Sequence, residues 1–501
     1  MRVMPGSRWR RGRRGLGVAV MLLALVAPAC SGGDRQGPRG GRSTVPSADT
    51  STGTGTSGGT GSTPGSAGAV ALGAKWDWGR FTEFEPFLKT MAGGRTYYEV
   101  VWCDVERQKG SPDWSTLDRV AQRTQQVGVT LMLKLRVGRC WATGGGDAQY
   151  QRGTKKKTES VMPQDMGAYR AWVRSAVTRY SAMGVHEYAI ENEINSKSFW
   201  GGTPEQFVTL AESAAAEIRA ADKNALVVDA GLSSTSYGYG LADWLLRAGR
   251  EADAIAAYNR YYERRFGTRG DQITEARERA GLETALASEQ GARNLAYLKV
   301  MEDLAKRKVV DVRQIHFYEM HTSVPELFAF LKATTPASTP IEAWEVGSFF
   351  KDTQSDSAER SQEVLKTMSL VLAEGARVAV WLPLAFDPGG RNSDEPRYGL
   401  LEPDGAVRES GKLFQAMVEA ARGAKAVKVA QGGVMGVGFE KNGTTTAFVW
   451  ADKPATLTLK PGESAVPAGG SGAGSTGRVT VGSAPIQLRL KSDVKTFLEA
   501  Q

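Results

Sequence analysis

Between residues 69 and 422, short apolar runs recur about eight times, each ending in polar residues and each followed by a segment patterned for a helix. The runs are 69–74, 97–102, 129–135, 185–190, 225–230, 312–317, 341–345 and 376–382. They are too short for buried helices, and their apolar character on both faces suits strands covered on both sides. Strands alternating with helices predict an α/β fold with a parallel sheet, and about eight repeats predict a (β/α)8 TIM barrel. Helix punctuation agrees. Ser115 reads as the N-cap of a helix running to Val127-Gly128, and Thr203 as the N-cap of a helix with Glu205-Gln206 in its first turn. Residues 240–309 are mostly helical in pattern and read as an insertion.

After Gly423 the rhythm changes. Short strands are predicted at 427–430, 434–440, 444–450, 455–459, 478–481 and 485–490, with Asn442-Gly443 as a hairpin signal. Residues 423–501 therefore read as a small β-sandwich, and residues 69–422 as the barrel domain. The run at 69–74 could also pair with that sandwich.

Residues 1–29 read as an export signal. Arg8, Arg10, Arg11, Arg13 and Arg14 precede an apolar stretch, Leu16 to Val26, too short for a comfortable membrane span. Ala27-Pro28-Ala29-Cys30 resembles the lipobox of bacterial lipoproteins, which implies cleavage before Cys30 and its lipidation. The expected location is the cell envelope, lipid-anchored, on its periplasmic or extracellular face. Residues 30–68 are almost entirely Gly, Ser, Thr, Pro, Asp, Arg and Gln and read as a tether. Residues 1–70 hold nine arginines and two aspartates, so +7 of the chain's +9 lies there and +2 remains for the body. The basic balance is thus a leader effect and gives no case for nucleic acid. For Cys103 and Cys140 two readings stay open: a bridge between neighbouring strand mouths, or two free, partly buried thiols. The sequence carries no signal of oligomeric state.

Two of the runs end in carboxylates. Val185 to Ile190 leads into Glu191-Asn192-Glu193-Ile194-Asn195, and Ile341 leads to Glu345-Val346-Gly347. The sixth run holds His316-Phe317-Tyr318, and the eighth holds Trp381. In this arrangement the body resembles clan A glycoside hydrolases, in particular family 39 and its neighbours. The resemblance implies a retaining O-glycosyl hydrolase acting on β-linked glycosides or a cell-surface polysaccharide, and no cofactor is expected. It implies Glu193 as acid/base and Glu345 as nucleophile.

Retention calls for two carboxyls about 5–5.5 Å apart, one ionised and one able to donate a proton. Period two places His316 and Tyr318 on one face of their strand, from which Tyr318 could donate to Glu345. Asn192 is expected at the sugar 2-hydroxyl. His316, Trp381, Trp200 and Trp141 complete the expected substrate contacts, the tryptophans as flat apolar faces. Glu191 and Glu342 are the local competitors of the two glutamates. With three histidines and no cysteine cluster, no zinc-type site is expected, and no Gly-rich phosphate loop occurs. The rival reading is a catalytically silent carbohydrate-binding or cell-envelope structural protein on the same barrel.

Overall fold

The computed structural model describes residues 69–145, 151–152, 157–267, 273–348, 358–386, 398–470 and 474–501. The expected signal segment, Cys30 and the tether lie outside the described residues.

Eight parallel strands form the barrel: β1 (Ala71–Ala74), β2 (Arg95–Val101), β3 (Thr130–Arg136), β4 (Glu187–Ile190), β5 (Leu226–Val228), β6 (Arg313–Phe317), β7 (Ile341–Val346) and β8 (Ala376–Trp381). The order around the sheet is β5-β4-β3-β2-β1-β8-β7-β6. A parallel bridge from Val228 to Val312 then brings β5 to β6 and all but closes the ring. This is the (β/α)8 architecture expected. Helices Phe81–Thr90, Ser115–Gln126, Met166–Ser181, Pro204–Ala221, Val324–Thr334, Ala358–Ala373 and Glu409–Ala421 cover it. Among the described residues, the insertion between β5 and β6 holds four helices between Thr235 and Lys306.

Local chemistry explains the boundaries. Thr203 Oγ1 accepts from the Gln206 amide at 3.2 Å, and the Gln206 side chain accepts from the Thr203 amide at 2.9 Å. With Pro204 opening the helix, this capping box contributes on the order of 1 kcal/mol. Ser115 is a correction. It is the first helical residue, and its own amide donates to Asp113 Oδ1 at 3.0 Å. Trp102, expected to end the second strand, instead begins a helical turn, Trp102–Val105. That turn is tied to the segment after β3 by a Cys103–Cys140 disulfide with a Cα–Cα distance of 5.4 Å.

The barrel is filled, not hollow. Tyr97, Met132, Ala189, Val228, Val312, Trp344, Val378 and Val380 pack as one buried cluster inside it, with Tyr97 stacked on Trp344. Towards the N-terminal ends of the strands lies an ionic layer. Arg377 pairs with Glu342, and with Glu187 at 3.6 Å, while Trp344 Nε1 donates to Glu342 at 2.6 Å. Glu342 is thereby committed to the base of the barrel and does not compete with Glu345.

Burial, and next to it the neighbouring Glu342, push the Glu187 carboxyl up to about 7, against the pull of Arg95 and Arg377. A raised folded-state value means the fold favours the protonated acid. That stability is fully present below about pH 4.5 and is lost as pH rises through about 7. Glu187→Gln, an uncharged isostere, is expected to remove the loss and to be more stable than the parent at pH 8, by up to roughly 3 kcal/mol. Urea unfolding at pH 5 and pH 8 checks this; parallel changes in both proteins would refute it.

The C-terminal region is all-β apart from a short final helix, Val494–Glu499. It comprises β9 (Lys425–Gln431), β10 (Val434–Lys441), β11 (Thr444–Ala451), β12 (Ala455–Thr458), β13 (Ser464–Pro467), β14 (Arg478–Val481) and β15 (Ile486–Leu490). The main antiparallel sheet has the order β9-β10-β11-β15-β13, and β12 pairs with β14. Val429, Val449, Leu457, Val481, Leu488 and Phe497 lie in its core. Neither β13 nor the final helix was anticipated from the sequence. The domain packs on the barrel along helix Ala358–Ala373, and Val437, Phe439, Phe448 and Trp450 join the barrel's core. Ala69 bridges Lys425, and the Trp450 ring lies edge-on to His321, whose Nδ1 meets Glu363 at 2.5 Å.

Candidate active site

The site lies at the C-terminal ends of β3, β4, β6 and β7, where barrel sites are built. The chain leaves β4 through an unusual backbone. Glu191 and Glu193 both adopt left-handed conformations, with φ of 68° and 43°. Each costs a non-glycine residue roughly 1–2 kcal/mol. Side-chain and backbone bonds hold the twist. Glu191 Oε1 accepts from the Val137 amide at 2.6 Å, the Glu193 amide donates to Ala230 O at 3.3 Å, and the Ser196 amide donates to Glu193 O at 2.8 Å. Glu191 is fully buried against Arg136 and pinned to backbone, so it is structural.

Glu345 reaches the site by a different device. Across β6 and β7, Ile315 pairs with Ala343 and His316 with Glu345; across β7 and β8, Ala379 pairs with Ala343 and Trp381 with Val346. Relative to β6, β7 carries one extra residue, a bulge at Trp344, while against β8 the register shifts on both sides of the Ala379–Ala343 pair. Trp344 already faces the barrel interior. The bulge turns Glu345 inward as well, where strict alternation would have sent it to the helix layer.

Glu193, His316 and Glu345 each offer an atom within 4.8 Å of the others. His316 Nδ1 lies 3.0 Å from Glu193 Oε1 and 3.6 Å from Glu345 Oε2. Tyr318 donates its hydroxyl to Glu345 Oε2 at 2.7 Å. Lys134, on β3, donates to Glu345 Oε1 at 2.7 Å and to Asn192 Oδ1 at 2.6 Å. Burial pushes the Glu345 carboxyl up, but His316, Lys134 and the hydrogen bonds from Lys134 and Tyr318 outweigh it and hold the group well below the usual carboxylate range. Tyr97 closes the cluster from β2. Burial, and then the nearby Glu345 carboxylate, raise its hydroxyl well above the usual value, so it remains a donor.

Asn192, Glu193, His316, Tyr318 and Glu345 therefore converge, while the tryptophans do not join them. Trp200 is fully buried, its indole N–H donating to Thr203 O at 3.2 Å and its ring edge-on to Phe207. Trp381 is also fully buried, its N–H donating to Tyr398 O at 3.1 Å. Trp141 is half-buried, its N–H on Glu106 O at 2.8 Å and its ring edge-on to Trp102. In Trp200 and Trp381 the packing leaves no ring face for a sugar, which corrects the expectation for both. His316 is likewise fully buried beneath the two carboxylates, so it supports them and does not meet solvent. Lys134 was missed. Its signal was present in Leu131-Met132-Leu133-Lys134-Leu135-Arg136, where two cations interrupt an apolar strand and each needs a buried partner.

No protein-family model matches the chain, and no curated protein matches its sequence. Solved structures do resemble it. A family 39 glycoside hydrolase from the gut symbiont Bacteroides cellulosilyticus WH2 superposes with a TM-score of 0.57 at 13% identity, over 85% of this chain and 81% of that one. The fold is shared with family 39 glycoside hydrolases. A GH39 β-xylosidase from Caulobacter crescentus gives a TM-score of 0.53 at 13% identity, over 84% of this chain and 97% of that one. The GH39 enzyme from Xanthomonas axonopodis pv. citri gives 0.51 at 12%, over 84% and 93%.

Proposed function

We propose that this protein is a retaining glycoside hydrolase acting on β-linked glycosides, with Glu345 as nucleophile and Glu193 as acid/base. The observation that carries the reading is the buried pair itself. Two glutamates from opposite sides of the barrel mouth present oxygens within 4.8 Å, one of them held ionised by Lys134 and Tyr318. Such a separation suits the close carboxyl pair of a retaining enzyme better than the wider pair, about 6.5–9.5 Å apart, of an inverting one.

In the first step Glu345 attacks the anomeric carbon, the bond to the leaving oxygen breaks, and Glu193 gives that oxygen its proton. In the second, Glu193 takes a proton from water, the water oxygen attacks the same carbon from the opposite face, and Glu345 departs. Two inversions leave the configuration retained. The Asn192 amide oxygen is held by Lys134, so its NH2 group is directed to accepting oxygens such as a sugar hydroxyl. The Caulobacter crescentus neighbour is described as a β-xylosidase, which makes β-xylosides the first substrates to try.

A panel of aryl β-glycosides followed by proton NMR tests the proposal. The β-anomer is expected as first product, and a 2-fluoro glycoside is expected to label the peptide that carries Glu345. The α-anomer as first product, or a label on another residue, would overturn the mechanism. A folded protein inert on the whole panel and unlabelled would favour the silent carbohydrate-binding reading.

A further inference from the structure

Lys134 is wholly buried, lies on a strand that carries neither glutamate, and touches three members of the site. Its ammonium has three protons, and three acceptors surround it: Glu345 Oε1 at 2.7 Å, Asn192 Oδ1 at 2.6 Å and His316 Nε2 at 3.2 Å. The Tyr97 ring lies beneath it, 4.3 Å from the nitrogen. We infer that Lys134 is a positioning residue that fixes where every proton of the catalytic cluster sits. This rests on the reading of Glu345 and Glu193 given above.

The argument follows the donors. Two N–H groups do not face each other across 3.2 Å, so with Lys134 fully protonated His316 Nε2 carries a lone pair. The ring proton is then on Nδ1, which points at Glu193 Oε1, 3.0 Å away. Because Glu193 Oε1 accepts, the acid proton of Glu193 sits on Oε2. Without the ammonium, the two carboxyls would share a buried space with His316 from β6, Tyr318 just after it, Tyr97 from β2 and Asn192, and Glu345 would lose both the charge and the hydrogen bond of Lys134. Ionising Glu345 there is costly.

The test uses the full chain labelled with 15N-histidine. There are three histidines, His186, His316 and His321, so single His186→Gln and His321→Gln variants assign the spectrum. In the wild type at about pH 7, His316 is expected to show a protonated Nδ1 and an unprotonated Nε2. In Lys134→Met that fixed tautomer is expected to be lost. The acid limb of kcat/KM should move up by about one pH unit or more, with KM changed by less than about threefold, since Lys134 does not reach the substrate. Lys134→Arg keeps the charge and should restore the acid limb towards wild type, but not the tautomer, because a planar guanidinium cannot aim at three convergent acceptors.

A wild-type His316 protonated on Nε2, or a Lys134→Met protein with tautomer and acid limb unchanged, overturns the inference. Should Lys134→Met fail to fold, the wild-type tautomer alone decides. Should the wild type hydrolyse no glycoside, the functional reading fails while the spectrum still decides the role of Lys134.

Discussion

Glu345→Gln is expected to lower kcat by on the order of 10⁵-fold while leaving the fold intact, as loss of a covalent nucleophile does elsewhere. The amide is nearly isosteric and cannot attack an anomeric carbon. Its oxygen can still accept from Lys134, and its NH2 group can face the Tyr318 oxygen, so the buried polar cluster stays satisfied. The melting temperature should therefore change by no more than a few degrees. Initial rates on the best aryl glycoside, measured beside a thermal melt, check both halves. A folded variant that keeps more than about one per cent of the activity would remove Glu345 from the chemistry.

Glu193→Ala separates the two steps. Substrates with poor leaving groups need the proton, so kcat/KM on them should fall by roughly 10³–10⁴-fold. A dinitrophenyl glycoside leaves without assistance, so its kcat/KM should fall by about tenfold or less; its kcat should fall further, because no base remains to activate water. Azide, an anion that needs no base, should restore turnover and yield a β-glycosyl azide. Equal losses on good and poor leaving groups, with no azide product, would mean that Glu193 acts by position and not by proton transfer.

Much of this was legible in the residues. The eight apolar runs mark the barrel because strands buried on both faces carry little else. Glu193 and Glu345 stand out because each follows such a run directly. What escaped had physical reasons too. Strand β13, Ser-Ala-Val-Pro, has four residues and a terminal proline, too little for a period to show. Trp200 and Trp381 look like sugar platforms because an aromatic at a strand end satisfies packing and stacking equally; only burial separates the two. Lys134 was hidden by habit: a lysine in a strand is read as an edge or a surface, yet here three acceptors from β4, β6 and β7 converge on it. Those contacts lie at sequence separations of 58, 182 and 211 residues and cannot be read from neighbours in the chain.

The bulge at Trp344 makes the direction of Glu345 a matter of counting. Removing one residue between Ala343 and Glu345 would restore one-for-one pairing with β6. The glutamate would survive in the sequence yet swing out among the helices, and the barrel would close over an empty mouth. A point substitution at Trp344 should be far milder, since the count is unchanged. For chains of this architecture, a glutamate at the end of the seventh strand is thus only half of the signature; the other half is the length of the strand that delivers it.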